Sequence, residues 1–154
     1  MTTELILTRT LKAPRHLVYA CWTEAQHMPH WFMPKPHRLS DIEIDLRPGG
    51  AFNSTMHVGD AVIPSVGCVL AADKDTRFAF TNIMGPNFQP LSGIDMPFAA
   101  TIELSDAPGG GTLYVATARH PTAEGAAQHE AMGFSAGWGT VADQLDDYAL
   151  TLVQ

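Results

Sequence analysis

Between Trp138 and Leu152 the apolar side chains Trp138, Val141, Leu145, Tyr148 and Leu152 recur at steps of three and four. That spacing puts them on one face of an α-helix, with Asp143, Gln144, Asp146 and Asp147 between them on the water side. Upstream the period changes to two. Residues 4–11 alternate well enough for a first strand, and residues 39–46 alternate strictly, Ile42, Ile44 and Leu46 against Asp41, Glu43 and Asp45. A strand of that kind has one dry face and one wet face. Further strands are read at 51–58 (Phe52 and Met56 on one side), 65–72, 77–84 (Phe78, Phe80 and Asn82 on one face), 96–104 and 112–120. Tight turns at Arg47-Pro48-Gly49-Gly50, Asp60, Asp73-Lys74-Asp75 and Gly109-Gly110-Gly111 join them, which predicts an antiparallel meander.

After the first strand, Pro14 suits the first turn of a helix. Residues 16–22 then read as a short helix with Leu17, Val18, Cys21 and Trp22 inward, and Thr23 can cap a second over 24–30. Pro29, Pro34 and Pro36 stop regular structure. From Thr122, a plausible N-cap, the chain turns helical to its end. Gly125, Gly133 and Gly137 lie in that stretch, each costing up to about 1 kcal/mol relative to Ala. Close approach to the sheet or a ligand would explain them, and so would a bend near Gly133. The whole predicts one α+β domain over residues 1–154: a curved antiparallel sheet of about seven strands covered by a long C-terminal helix.

One segment fits none of these periods. Residues 85–95 are too long and too rich in Gly and Pro for a hairpin turn, and loops of that length are often functional. Their apolar Phe88, Leu91 and Ile94 suit a loop folded over an opening, or equally a surface excursion packed on its own side chains.

Composition narrows the function classes. The net charge is −7, from 9 Lys+Arg against 16 Asp+Glu, without a basic run, which argues against nucleic acid and against anionic membrane surfaces. No apolar run reaches the roughly 20 residues of a membrane span. The N-terminus shows no signal-peptide pattern, so a cytoplasmic location is expected, with Cys21 and Cys68 reduced.

Several local patterns resemble one family. They are Arg9-Thr10-Leu11-Lys12-Ala13-Pro14, Trp31, Asp45-Leu46-Arg47-Pro48-Gly49-Gly50-Ala51-Phe52, Gly67-Cys68-Val69-Leu70, Arg77-Phe78-Ala79-Phe80-Thr81, Gly111-Thr112 and Met132-Gly133-Phe134 with Gly137-Trp138. Together they resemble the START-related SRPBCC superfamily, in the AHSA-type branch named after the C-terminal domain of the activator of heat-shock-protein-ninety ATPase. The resemblance implies the helix-grip fold, seven antiparallel strands gripping the last helix with a hydrophobic cavity between them. Relatives bind lipids, sterols, polyketides or plant hormones, and some catalyse cyclisation or dehydration.

The expected cavity lining is Trp31, Phe32, Phe52, Met56, Phe80, Phe98, Met132, Phe134 and Trp138, with Thr117, Val141 and Leu145 deeper. The alternative is that these side chains close on one another as solid core. Inward polar candidates are Ser54, Asn82, Thr117, Arg119 and Ser135; Arg119 could hold a ligand carboxylate or lie outside. The turn from Met132 to Trp138 is expected to border the ligand. His27, His30 and His37 cluster around Trp31 but lack a third ligand with zinc spacing, so neither metal nor cofactor is expected. His57 and His120 are expected outside or at the rim. No acid, base or nucleophile is placed inside, and no catalytic residue is assigned. The reading is therefore a binder of a small apolar or amphipathic molecule. An enzyme acting on such a ligand (cyclase, dehydratase or hydrolase type) and a protein-interaction or co-chaperone-like module are the alternatives, and a homodimer is left open.

Overall fold

In the computed structural model, which describes residues 1–153, the chain runs β1 (Glu4–Leu11), α1 (Arg15–Thr23), a 3-10 turn (Met28–His30), β2 (Arg38–Ile44), β3 (Phe52–Val58) and β4 (Ala61–Ser65). It continues through β5 (Cys68–Asp73), β6 (Arg77–Thr81), the two-residue β7 (Met84–Gly85) and β8 (Gln89–Pro90), β9 (Ala99–Asp106), β10 (Thr112–Arg119), α2 (Ala123–Ala131) and α3 (Phe134–Leu150). All seven strands read from the alternation are present. β4, β7 and β8 are additional, and the second short helix is a single 3-10 turn.

All pairings are antiparallel. One sheet has the order β1-β10-β9-β6-β5 and a smaller one the order β2-β3-β4, the two joined by a bridge between Ala51 and Cys68. The Asp45–Gly50 turn makes that junction firm. Gly49 N–H donates to the Val69 carbonyl and Val69 N–H to the Gly50 carbonyl, at 2.8 and 2.9 Å. Gly50 is required there, because a Cβ would collide with the Asp45 carbonyl.

The inner face of the larger sheet follows from register. Leu7 lies opposite Ala116, Ala116 opposite Ile102, and Ile102 opposite Phe78, and all four are buried. α1 and α3 pack on this face. α3 meets the core through Phe134, Ala142, Leu145 and Ala149, all buried. Two alanines on that face let the helix sit close, and Trp22 and Tyr114 fill the space beneath, joined by an indole N–H to hydroxyl bond of 3.1 Å.

The helical stretch after Thr122 is two helices. Gly133 sits at φ +97° between them, a left-handed geometry that glycine adopts without steric cost. Thr122 caps α2, its Oγ1 accepting from Gly125 N–H at 3.0 Å. Two residues expected in water on the last helix have other work. Asp146 accepts from the Lys12 and Ala13 backbone N–H groups at 2.9 Å. The Gln144 amide donates to the Trp31 and Met33 carbonyls at 2.9 and 2.8 Å. Both side chains tie α3 to loops that the periodicity alone does not reveal.

Candidate functional site

Pleating puts Phe52, Ser54 and Met56 on one face of β3. Register then brings Ser65 opposite Ser54, Ile63 opposite Met56 and Ile44 opposite Phe52. No residue of α3 lines the space over this face of the smaller sheet. What lies over it is the segment between β6 and β9. A hollow of about 620 Å³ is left between them.

Its walls come from four places. β2, β3 and β4 give Ile42, Phe52, Met56 and Ile63; the end of β6 gives Phe80; the segment after α1 gives Met28 and Phe32; and the long loop gives Leu91, Ile94, Met96 and Phe98. The aromatic rings meet edge-on or tilted, Phe52 and Phe80 at 4.6 Å between centroids and Phe80 and Phe98 at 6.2 Å. These are favoured aromatic geometries.

The loop is held in place by side chains at its own ends. Asn82 Nδ2–H donates to the Met96 carbonyl at 2.8 Å, and Asn82 Oδ1 accepts from Phe98 N–H at 2.9 Å. Thr81 Oγ1–H donates to the Phe98 carbonyl at 2.8 Å. Further out, Asn87 N–H reaches the Gly49 carbonyl at 2.7 Å, and the Phe88 ring lies against Gly49, where a Cβ would meet it at 2.8 Å. Of the two readings of this loop, a fold over an opening describes the structure. A second hollow of about 670 Å³ lies over α1 and β5, lined by His16, Glu24, Lys74 and Asp75, and lacks any such cover.

The sequence profile of the family described as "Activator of Hsp90 ATPase homolog 1-like protein" matches residues 12–149. The chain belongs to this family. A crystal structure of a Nitrosomonas europaea protein shares 36% identity at a TM-score of 0.92, covering 97% of this chain and 96% of that one. A solution structure from Staphylococcus epidermidis (18% identity, TM-score 0.82, covering 100% and 93%) has the same fold. So does a Staphylococcus aureus protein described as of unknown function (20% identity, TM-score 0.74, covering 97% and 94%). No curated protein matches.

In this member of the Hsp90-activator-like family, Phe32, Phe52, Met56, Phe80 and Phe98 of the expected lining, with the inward polar candidates Ser54 and Asn82, come together around the hollow. The others do not. Trp31 is core, 1% exposed, its indole N–H donating to the Cys21 carbonyl at 3.1 Å. Leu145 and Phe134 are core beneath the helix, and Val141 is partly buried beside them. Trp138 is half-buried, its ring tilted by 35° against that of Phe134 with centroids 4.6 Å apart. Met132, 68% exposed, and Ser135 are at the surface, because the break at Gly133 turns the start of α3 away from the hollow. The space expected between sheet and last helix is therefore filled, and the hollow lies to one side of it.

Thr117 and Arg119 face the outside of the sheet. Their register partners Ile6, Thr101 and Glu4 share that outer face, and Arg119 donates to Thr101 Oγ1 at 3.1 Å and lies 3.6 Å from the Glu4 carboxylate. His120, on the inward parity, is 6% exposed rather than at a rim. The Thr3 carbonyl, 2.9 Å from His120 Nδ1, can only accept, so Nδ1 carries the proton. His120 Nε2 then accepts from His129 Nδ1–H at 2.8 Å. Burial, and then the neighbouring His120, hold the His129 imidazole below its ordinary value. His27 and His30 both address Tyr148, by a 2.7 Å hydrogen bond and by stacking at 4.7 Å, and no group of three metal-ligating side chains meets among the described residues.

Sequence reasoning missed Met28, Ile63, Ser65 and Val66 in the walls. β4 was hidden by Pro64, which an edge strand tolerates. The readable signal was Val58-Gly59-Asp60-Ala61: a Gly-Asp pair between strand residues marks a two-residue hairpin, and Gly59 has φ +60°.

Proposed function

We propose that this chain binds one small apolar or amphipathic molecule in the hollow between the β2-β3-β4 sheet and the residue 82–98 loop. The observation that carries the reading is the hollow itself, about 620 Å³, walled by four phenylalanines and three methionines and roofed by a hydrogen-bonded loop. Volumes of roughly 300–1,000 Å³ with apolar walls are the common form of small-molecule sites. Rigid aromatic rings supply contact area, and the methionines adapt to the ligand's outline. Asp95, exposed at the mouth, is the one ionisable side chain in the lining. That favours carriage or sensing over acid–base chemistry, which needs an ionisable group beside the reacting bond. Cys21 and Cys68, both buried and unpaired, fit a reducing compartment; burial pushes the Cys21 thiol up to about 12, so it stays protonated and unreactive.

Titration with naphthalene-type fluorescent probes tests this, with Ile63→Trp as the control. Ile63 is 42% exposed on an edge strand, so the larger side chain should fill the hollow without unfolding the protein. Saturable binding that Ile63→Trp abolishes at unchanged melting temperature is expected. Equal binding by that variant, or no saturable binding by the natural chain, rejects the reading.

A further inference from the structure

Resting on the ligand site just proposed, we infer that it selects uncharged molecules carrying a hydroxyl or carbonyl, which the paired Ser54 and Ser65 hydroxyls hold, and that it rejects anionic amphiphiles. Three observations converge on this. The first is charge. No Lys, Arg or His contributes to the walls, and the one charged side chain there is the carboxylate of Asp95. A ligand carboxylate would leave water without a cation to meet it, against a local negative charge and a chain of net charge −7. Arg119, the sequence's candidate anchor for a carboxylate, is on the outer face of the other sheet.

The second is which polar groups remain free. Asn82 uses both ends of its amide on the loop, as described above. Asn53 donates to Glu43 Oε1 and accepts from Gly67 N–H, both at 3.2 Å. Thr81 Oγ1 donates to Phe98 and accepts from Ile83 N–H at 3.2 Å. Ser54, Ser65 and Ser92 are the lining side chains whose hydroxyls make no hydrogen bond among the described residues. Ser92 is exposed on the loop, whereas Ser54 and Ser65 are partly buried.

The third is placement. Ser54 and Ser65 are direct cross-strand partners on β3 and β4, on the face that carries Phe52, Met56 and Ile63. Directly opposed residues have Cβ atoms about 5 Å apart. Two rotatable hydroxyls at that spacing can both reach one ligand oxygen, donating to a carbonyl or exchanging donor and acceptor roles with a hydroxyl. An apolar wall with one neutral polar pair fixes the orientation of a ring-bearing alcohol or ketone, whereas to a carboxylate it offers hydroxyl donors but no cation to offset the lost hydration.

Three probes of constant ring and variable handle test this at about pH 8: naphthalene, 2-naphthalenemethanol and 2-naphthoate, titrated by calorimetry against the full chain and the Ser54→Ala/Ser65→Ala variant. The alcohol should bind the natural chain about tenfold more tightly than naphthalene, and the naphthoate at least tenfold more weakly than the alcohol. In the double variant the alcohol should lose its advantage and bind no more tightly than naphthalene binds to the same variant. A naphthoate affinity equal to the alcohol's overturns the charge selection, and an alcohol advantage that survives in the double variant overturns the serine pair. Binding of naphthalene in either case leaves the ligand site standing; absence of binding by all three rejects the site and this inference together. Should the variant fold poorly, the same comparison with Ser54→Thr and Ser65→Thr, which keep the hydroxyls, must retain the alcohol's advantage.

Discussion

The inward surfaces of the two sheets are built from similar side chains and end differently. Under α3 the larger sheet is filled. Trp22, Phe78, Ile102 and Leu145 belong to one buried cluster there, and the one buried indole–phenol pair satisfies itself. Under the long loop the smaller sheet is hollow, although Phe52, Phe80 and Phe98 are as apolar as anything in the core. The difference lies in the cover. α3 presents Ala142 and Ala149, so it sinks onto the sheet until side chains interdigitate. The loop cannot sink, because Asn82 and Thr81 fix its return at Met96 and Phe98 through hydrogen bonds to its backbone. Aromatic content alone does not distinguish core from cavity; the attachment of the covering element does.

The hardest blow to the filled side is Trp31→Ala. Removing a fully buried indole costs about 3–5 kcal/mol, read as a lower urea midpoint. A cost below about 1 kcal/mol would mean that the packing around Trp22 and Phe32 is loose and that the contrast between the two sides is not real. Asn82→Ala attacks the hollow side instead. It removes both bonds that fix the loop end and should cost about 1–3 kcal/mol. Amide exchange across residues 83–97 should quicken more than anywhere else, and naphthalene binding should weaken. A loop that stays protected in this variant would show that Phe98 and Leu91, not the amide, hold the roof.

Smaller effects test how α3 is attached. Asp146→Ala strips the acceptor from Lys12 and Ala13 N–H and should destabilise by about 1 kcal/mol, with Asp146→Asn recovering most of it. pH offers a subtler probe at the other end of the helix. His129 lies against Phe98, Phe134 and Trp138, and burial followed by His120 depresses its pKa. The unfolded chain therefore takes up a proton near about pH 6.5 that the folded chain resists. Stability from this group is intact above about 6.5 and declines as pH falls from there toward the lower folded value. Melting temperature should drop over that window, and His129→Gln should flatten the slope. An unchanged slope in the variant would assign the loss to other histidines.

The elements on both sides were largely legible in the sequence, but not which side is filled and which hollow, and the reason is physical. The strict alternation of residues 39–46 and the step of Trp138, Val141 and Leu145 named a strand and a helix because large side chains mark the dry face. β10 defeated the same reasoning. Its inward residues include Ala116 and Ala118, fully buried but too small to mark a dry face, and so the parity was assigned to Thr117 and Arg119 instead. Asp146 and Gln144 looked solvated since a helical period knows nothing of the loops that cross it. The loop at 85–95 announced itself by composition, but which sheet it covers depends on Asn82 and Thr81 bonding across 14 to 17 residues.

The smallest effect concerns the glycines that suggested a close approach near the ligand. Gly125 does approach something, since a Cβ there would lie 3.3 Å from Thr122 Oγ1, and Gly133 needs its positive φ. Gly137 has neither reason. It is helical, partly exposed, and nothing lies within 4 Å of where its Cβ would be. Gly137→Ala should therefore stabilise the chain by roughly 0.5 kcal/mol, by lowering the entropy of the unfolded state. The melting temperature should rise by about 1–2 °C, given the entropy of unfolding of a domain this size. Naphthalene affinity should not move, because the residue lines no wall of the hollow. If instead Gly137→Ala lowered that affinity at unchanged or higher stability, the start of α3 would have to reach the ligand, and the division into a filled side and a hollow side would fail at that point.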